Sequence, residues 1–242
     1  MAAAVGAERR DGGSCTGEGL DLNALDTVRR GYLLVFYLLQ FLGFTWTFSR
    51  LNADLFLLGH DGVYSAFRSC AAVLYVCQMV APLEVINAAL GLIIAPVLPT
   101  VIQVMGRNLM LFVVFGSLRE MQSKGVTFCV FYLWSSVEMF RCLFHLLEIW
   151  GREWRAMTWL WNAVWVLLYP LSTVAEAAAV LQALPIFDES RLFSVPLPER
   201  VGFSVSFSFS LRLYLILLLS GLFINMRHIL RQRRRCVRIK LD

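Results

Sequence analysis

The sequence predicts an all-α integral membrane protein, a bundle of six transmembrane helices. Two observations lead to this prediction. Of the 242 residues, 58% are hydrophobic and only 16% are charged, whereas a soluble domain carries about 25% charged residues. Several apolar stretches also reach about 20 residues, the length that a membrane-spanning helix requires. The composition therefore argues against a secreted disulfide scaffold, a disordered protein and a soluble nucleic-acid-binding domain.

Six apolar stretches meet the length requirement. They cover about 31–49, 68–93, 99–117, 125–147, 157–184 and 206–226. Residues 201–210 alternate with period two, which is a strand pattern, but an isolated strand has no partner here, so we interpret them as the start of the sixth helix. We divide the chain into a disordered cytosolic tail (1–30), a six-span membrane domain (31–226) and a basic cytosolic tail (227–242).

Lysine and arginine positions predict the orientation. Thirteen of these residues outside the spans lie on the side of both termini and six on the other side, which places both termini in the cytosol by the positive-inside rule. The net charge of +5 is therefore mostly a topology signal. The basic run 227–235 adjoins a span and lacks a folded basic module, so we expect no nucleic-acid partner.

The two ends of the chain and its cysteines carry further signals. Arg238 and Lys240 in the final RIKLD resemble cytosolic dibasic signals that return membrane proteins to the endoplasmic reticulum. No apolar segment precedes residue 30, so we expect no signal peptide. None of the six cysteines forms a CxxC pair or a Cys/His cluster, so we expect no metal site.

Charged side chains at bilayer depth are costly, and each is a candidate functional residue. The candidates are Glu84, Arg107, Glu138, Arg141, Glu176 and Arg212. Glu138 and Arg141 stand three apart on one helical face, where a structural ion pair and a functional pair are equally good interpretations.

Two other candidates have structural explanations of equal standing. Glu84 lies one turn from Asn87, and it could pair with Arg107 on the next helix as an interhelical contact rather than as a chemical group. Arg212 lies near a predicted helix end, where its long side chain can extend toward the interface.

Tyr169 and Glu176 differ from the other candidates because no cation lies near Glu176 in sequence. Seven residues make two helical turns, so both side chains share a face about 10.5 Å apart along the axis. Pro170 lies between them, and a kink there would bring them closer. The alternative to a catalytic pair is a tyrosine that is hydrogen-bonded to any polar neighbour and a protonated glutamate that has no chemical role.

Four stretches carry a family resemblance: PLEVINAALGLI (82–93), VLPTVIQVMGR (97–107), LWSSVEMFR (133–141) and LYPLSTVAE (168–176). With these motifs the chain resembles the very-long-chain (3R)-3-hydroxyacyl-CoA dehydratase family of fatty-acid elongation, once named protein tyrosine phosphatase-like A, from about Tyr32 to the basic tail. Residues 169–190 are most similar to the fourth vertebrate member of that family.

The resemblance implies that Tyr169 and Glu176 are the catalytic pair. This chain departs from the family at three positions, with Asn87, Cys142 and Ser172 where members often have His, Tyr and Gly. The pair itself is intact, so the departures bear on efficiency and substrate range. The old phosphatase name is no guide, since no cysteine here is followed six places later by arginine.

The reaction implied by the resemblance is the loss of water from a long-chain or very-long-chain 3-hydroxyacyl-CoA to give a trans-2-enoyl-CoA, the third step of elongation. One group takes the C2 proton and another protonates the departing hydroxyl; the sequence leaves open which of the pair does which. The reaction needs no metal or other cofactor. Arg141 or Asn87 is a candidate for stabilising the thioester oxygen.

The substrate head and the partners follow from the same resemblance. Arg152 and Arg155 are candidates to contact the negative charges of CoA. A role only in setting the orientation of the protein in the membrane explains them equally well. Elongases and reductases of the elongation complex are the implied protein partners.

A non-catalytic membrane adaptor that binds elongase or signalling partners is the alternative function. A small transporter ranks last, because the sequence has no internal repeat.

Overall fold

The computed structural model describes residues 15–93, 96–151, 155–190 and 207–239, and these ranges contain helices but no strand. The helices are α1 (Cys15–Leu58), α2 (His60–Tyr64), α3 (Ala66–Val80), α4 (Pro82–Ala89), α5 (Val97–Asn108), a π-helical segment (Leu109–Phe115), α6 (Arg119–Gln122), α7 (Gly125–Ile149), α8 (Arg155–Ser190) and α9 (Phe207–Ile239). The all-α prediction is confirmed.

Six helical stretches are long and apolar enough to cross a membrane, which confirms the predicted number of spans. They are Leu25–Leu58, Ala66–Ala89, Val97–Phe115, Gly125–Ile149, Val166–Ser190 and Phe207–Ile224. Helix α9 begins where the sixth span was expected, so the alternating residues 207–210 are helical. Residues 201–206 lie outside the described ranges.

Helix α1 is longer than the first predicted span, and charge pairing within the helix accounts for the difference. Arg50 pairs with Asp54 one turn later at 3.2 Å, and such a pair stabilises a helix that continues past the predicted span. Asp26 pairs in the same way with Arg30 at 3.3 Å. The segment 1–30, predicted to be a disordered tail, is therefore helical from Cys15 onward, and residues 1–14 lie outside the described ranges.

Helix α9 carries the basic C-terminal region. It continues to Ile239 and so includes the basic run 227–235 in its last turns. Lys240, half of the expected retrieval signal, lies outside the described ranges, as do the side chains beyond Arg227. The division into three domains remains a prediction.

The second span bends at a proline and ends at a glycine. Helix α3 ends at Val80, and Pro82 is the first residue of α4. The N–H of a residue at this position makes no hydrogen bond within the helix, so proline loses none there. Gly91 has a φ of 69°, a left-handed conformation that suits glycine at a helix end. Arg29 of α1 donates to the Leu92 carbonyl at 2.8 Å, which links α1 to this turn.

Helix α7 is the centre of the bundle. It packs against α1 on one side and α8 on the other, and α8 in turn packs against α9. In the most apolar part of α7, 56% of the residues are buried, against 11% for α9, so α7 is enclosed by other helices and α9 is peripheral. The core joins Trp134 and Phe131 of α7 to Leu74 of α3, Val180 of α8 and Leu211 of α9.

The third span changes its winding halfway. Helix α5 runs to Asn108, and the chain continues without a break as the π-helical segment Leu109–Phe115. Such wider turns are rare and occur often beside functional sites. Here the change begins at Leu109, two residues after Arg107, one of the predicted site residues.

Candidate active site

Glu176 is a buried carboxylate held by donors from two other helices. Its Oε1 accepts a hydrogen bond from Trp134 Nε1 of α7, and its Oε2 accepts one from Tyr214 Oη of α9 at 3.3 Å. The Ser172 hydroxyl, one turn earlier on α8, also hydrogen-bonds this carboxylate. Each carboxylate oxygen thus has a donor from outside α8, which restricts the orientation of the group.

Small residues on α8 allow the neighbouring helices to approach the carboxylate. Ala175, Ala179 and Ala183 lie at helical spacing and are buried. Such residues let helix backbones come close together in membrane proteins. These alanines therefore lie on the face of α8 that packs in the core of the bundle.

Tyr169 lies on α8 two turns before Glu176, as predicted, and its side chain is half-buried. Helix α8 continues through Pro170. The Thr173 hydroxyl donates to the Tyr169 carbonyl at 2.9 Å, a bond that often accompanies helix bending.

Four charged residues form a chain of alternating sign across three helices. Arg141 of α7 binds Glu84 of α4, with Nη2 and Oε2 2.9 Å apart, and it also binds Glu138, with Nε and Oε2 2.7 Å apart. Glu138 in turn pairs with Arg107 of α5. The predicted Glu138–Arg141 pair is confirmed.

The predicted pairing of Glu84 with Arg107 is wrong. Helix α7 brings Arg141 to Glu84 and Glu138 to Arg107, so each of those two residues finds its partner on α7 and not on the other's helix. Because all four charges are paired, the cost of their burial is partly offset.

Arg107 connects the charge chain to the Glu176 site. Its guanidinium carbon lies 5.5 Å from the centre of the Trp134 ring, within the range of a cation–π contact. It also interacts electrostatically with Glu176. The cation that sequence spacing did not reveal therefore comes from α5.

A small polar cavity adjoins the charge chain on the side of α1 and α3. Its volume is about 40 Å³, and it is lined by Gln40, Phe44, Gln78, Ala81, Glu84, Thr100, Gln103, Val104, Arg107, Glu138 and Arg141. A water molecule needs about 10–15 Å³ of such volume, so the cavity has room for about three. It is too small to be the slot for a long acyl chain.

The remaining predicted residues lie apart from Glu176 or outside the described part. Asn87 Oδ1 accepts a hydrogen bond from Tyr32 Oη at 3.1 Å near the end of α4. Arg212 pairs with Asp188 at 3.0 Å, and both are exposed. Arg152 lies outside the described ranges, and so does the side chain of Arg155, which begins α8. Those assignments stay predictions.

Sequence reasoning missed Trp134 and Tyr214. Trp134 lies within the quoted stretch LWSSVEMFR, where its neighbours Glu138 and Arg141 drew attention instead. Tyr214 lies in the stretch LRLYLILLL, where nothing distinguishes it from an ordinary membrane-facing residue. Only the packing of α9 on α8 identifies it.

Comparison with known proteins identifies the family. The family described as "Protein tyrosine phosphatase-like protein, PTPLA" matches residues 78–239, which is well over half of the chain. The chain belongs to this family. The match begins at Gln78 in α3 and covers every residue of the Glu176 site and of the charge chain. No solved structure matches the chain.

Curated family members that resemble the chain are named as dehydratases. "Very-long-chain (3R)-3-hydroxyacyl-CoA dehydratase" of Danio rerio is 51% identical over 88% of this chain and 59% of its own length. The protein of that name numbered 3 in Homo sapiens is 48% identical over 87% of this chain and 58% of its own length. The chain thus spans about three-fifths of the length of these relatives.

The prediction that the chain is most like the fourth vertebrate member is wrong by sequence identity. The Homo sapiens dehydratase numbered 4 is 32% identical over 85% of this chain and 88% of its own length. Identity is therefore higher with the member numbered 3, although the lengths agree better with the member numbered 4. The assignment to the family itself is confirmed.

Proposed function

We propose that this protein is a hydro-lyase that removes water from a long-chain or very-long-chain (3R)-3-hydroxyacyl-CoA and yields a trans-2-enoyl-CoA. The observation that carries the proposal is the buried carboxylate of Glu176, held at both oxygens and placed two turns after Tyr169. The names of the relatives support the same reaction. The substrate and its place in fatty-acid elongation are part of the proposal.

In the proposed mechanism Glu176 is the base and Tyr169 is the acid. Trp134 and Tyr214 direct donor groups at the two oxygens of Glu176, and hydrogen bonds of this kind favour the ionised carboxylate that a base requires. Glu176 takes the C2 proton, the C2–C3 double bond forms, and the C3–O bond breaks. Tyr169 gives its phenolic proton to the leaving hydroxyl, which departs as water. Transfer of the proton from Glu176 to the tyrosinate restores both groups.

Arg107 is the proposed electrostatic partner of the thioester oxygen. Negative charge develops on that oxygen as the C2 proton leaves, and a fixed cation nearby stabilises it. Arg107 pairs with a single carboxylate, Glu138, and lies over the Trp134 ring that donates to Glu176. Arg141 is engaged by two carboxylates and Asn87 by Tyr32. The geometry therefore favours Arg107 over the two residues suggested by the sequence.

The proposed activity is tested by giving the purified full chain 3-hydroxyacyl-CoAs of graded length. We expect enoyl-CoA to form from the (3R) substrates and not from the (3S) enantiomers, with a preference for long chains. The matched enantiomer controls for background dehydration. Binding of the (3R) substrates without turnover at any length would contradict the proposal and favour the membrane adaptor.

The proposed setting is the endoplasmic reticulum membrane, with both termini in the cytosol. Six helices fit the bilayer, and the charge count of thirteen against six supports the orientation. We propose elongases and reductases of the elongation system as protein partners. The CoA head would then lie at the cytosolic face, near Arg152 and Arg155.

The orientation predicts how tags at the two ends behave in sealed microsomes. A tag at either terminus should be digested by added protease without detergent, because both ends face the cytosol. A tag in the connection 59–65, between the first two spans, should resist digestion until the membrane is dissolved. Protection of either terminal tag in intact vesicles would overturn the six-span orientation.

A further inference from the structure

Tyr214 reaches Glu176 from a helix that is otherwise peripheral. Its Oη lies 3.3 Å from Glu176 Oε2, and the ring crosses from α9 to the surface of α5. Several of its neighbours on α9 are apolar residues with exposed side chains, including Leu213, Ile216 and Leu217. Leu211 is a fully buried apolar contact of this helix, and the hydroxyl of Tyr214 adds a polar contact that burial of apolar surface does not explain.

The ring of Tyr214 rests directly on the backbone of α5 at Gly106. A Cβ atom at Gly106 would lie 2.7 Å from Tyr214 Oη and 2.8 Å from its Cε2. Any side chain at this position would therefore displace the ring, and the hydroxyl would move with it. Glycine in the middle of a helix lowers helix stability by up to about 1 kcal/mol relative to alanine, and here the close approach of the ring accounts for it.

The two donors to Glu176 that come from other helices bind different oxygens of its carboxylate. Trp134 of α7 occupies Oε1 from inside the core, and its indole is fully buried. With Oε1 occupied, the Tyr214 bond to Oε2 and the Ser172 hydroxyl together restrict how the carboxylate is rotated about its last bond. Loss of the tyrosine hydroxyl leaves the group in place but removes the donor to Oε2 that comes from outside α8.

We propose that Tyr214 is a positioning residue for Glu176 and that Gly106 provides the space for it. Helices α5 and α9 thereby set the direction in which the carboxylate faces the substrate. This inference rests on the proposed dehydratase function, and it concerns a residue that lies far from the Tyr-Pro stretch in sequence.

The first test is the effect of Tyr214→Phe on the separate kinetic constants. The ring and its packing are kept, and one hydrogen bond to a charged group is lost, which corresponds to a fall in kcat of about tenfold or more. KM should stay within about twofold, because the hydroxyl is not proposed to bind substrate. Unchanged kcat would overturn the inference.

The second test uses Gly106→Ala alone and with Tyr214→Phe. The added methyl should lower kcat by displacing the ring. In the Tyr214→Phe background it should add little, because the contact it disturbs has already gone. Independent, additive losses would contradict the positioning role and indicate two separate packing defects.

The fold provides a matched control at a second tyrosine–glycine contact. A Cβ atom at Gly116 would lie 2.9 Å from Tyr75 Oη, the same kind of approach, and no hydrogen bond to a carboxylate is described for Tyr75. Gly116→Ala and Tyr75→Phe should therefore leave kcat nearly unchanged. An equal loss in the controls would attribute the effect to helix packing in general and overturn the proposal.

An infrared measurement separates this inference from the proposed function. The stretching band of the Glu176 carboxyl group is identified by its loss in Glu176→Gln. We expect this band to shift in Tyr214→Phe and to stay in place in Tyr75→Phe, whether or not the protein turns over any acyl-CoA. An unshifted band would show that Tyr214 does not hold Glu176, even if dehydratase activity is found.

Discussion

Glu176→Gln and Tyr169→Phe are each expected to lower the rate of dehydration at least about a hundredfold. General acid–base groups contribute about 10²–10⁴-fold in rate. Each substitution keeps the volume of the side chain, so the helix bundle should fold normally. The measurement is kcat with a long-chain (3R)-3-hydroxyacyl-CoA, with expression and dispersity of each variant confirmed.

The double variant tests whether the two residues act together. If they act on one substrate as a unit, it should be little slower than the slower single variant, since such effects are far from additive. Glu189→Gln is a matched control, because Glu189 lies on the same helix and is exposed. Tyr132→Phe on α7 controls for loss of a phenolic hydroxyl at a half-buried position. Near-normal turnover by both single variants would exclude these residues from the chemistry.

Glu138→Gln is expected to cause a large loss of stability. Glu138 is the central carboxylate of the charge chain, with its side chain 2% exposed and bound to both Arg107 and Arg141. Removing one partner of a buried ion pair costs about 3–5 kcal/mol, because the other charge stays buried and uncompensated. For a chain of this size that lowers the midpoint of thermal unfolding by about 10 °C, measured in detergent through tryptophan fluorescence.

Glu148→Gln is the matched control on the same helix. Glu148 pairs with His145 at 3.2 Å, but its side chain is 66% exposed, and exposed pairs contribute about 0–1 kcal/mol. Its melting midpoint should stay close to that of the unsubstituted protein. Equal midpoints for the two variants would mean that the charge chain contributes no more than a surface pair.

Composition and local pattern were sufficient to predict the membrane architecture. Six spans follow from six apolar stretches, because the bilayer demands about 20 apolar residues per helix whatever the neighbours are. The placement of Tyr169 and Glu176 on one helix follows equally from local spacing. The pair Glu138–Arg141 was also accessible, since its members stand three residues apart on α7.

Interactions between distant segments could not be obtained in this way. The sequence suggested Arg107 as the partner of Glu84, and only the tertiary structure shows that Arg141 of α7 takes this place while Arg107 pairs with Glu138. Charge complementarity alone is the same for either arrangement. Helix α1 also extends beyond the first predicted span, because a charged pair one turn apart can continue a helix.

The surroundings of Glu176 depend most strongly on the tertiary structure. Sequence alone indicated a lone carboxylate in an apolar helix, and the donors that hold it come from α7 and α9, 42 and 38 residues away. Nothing in the pattern around Tyr214 marks it, since an aromatic residue on a membrane helix packs equally well against lipid. The close approach at Gly106 turns it inward. Hydrogen bonds are short-ranged and directional, so their partners are decided only when helices far apart in sequence pack together.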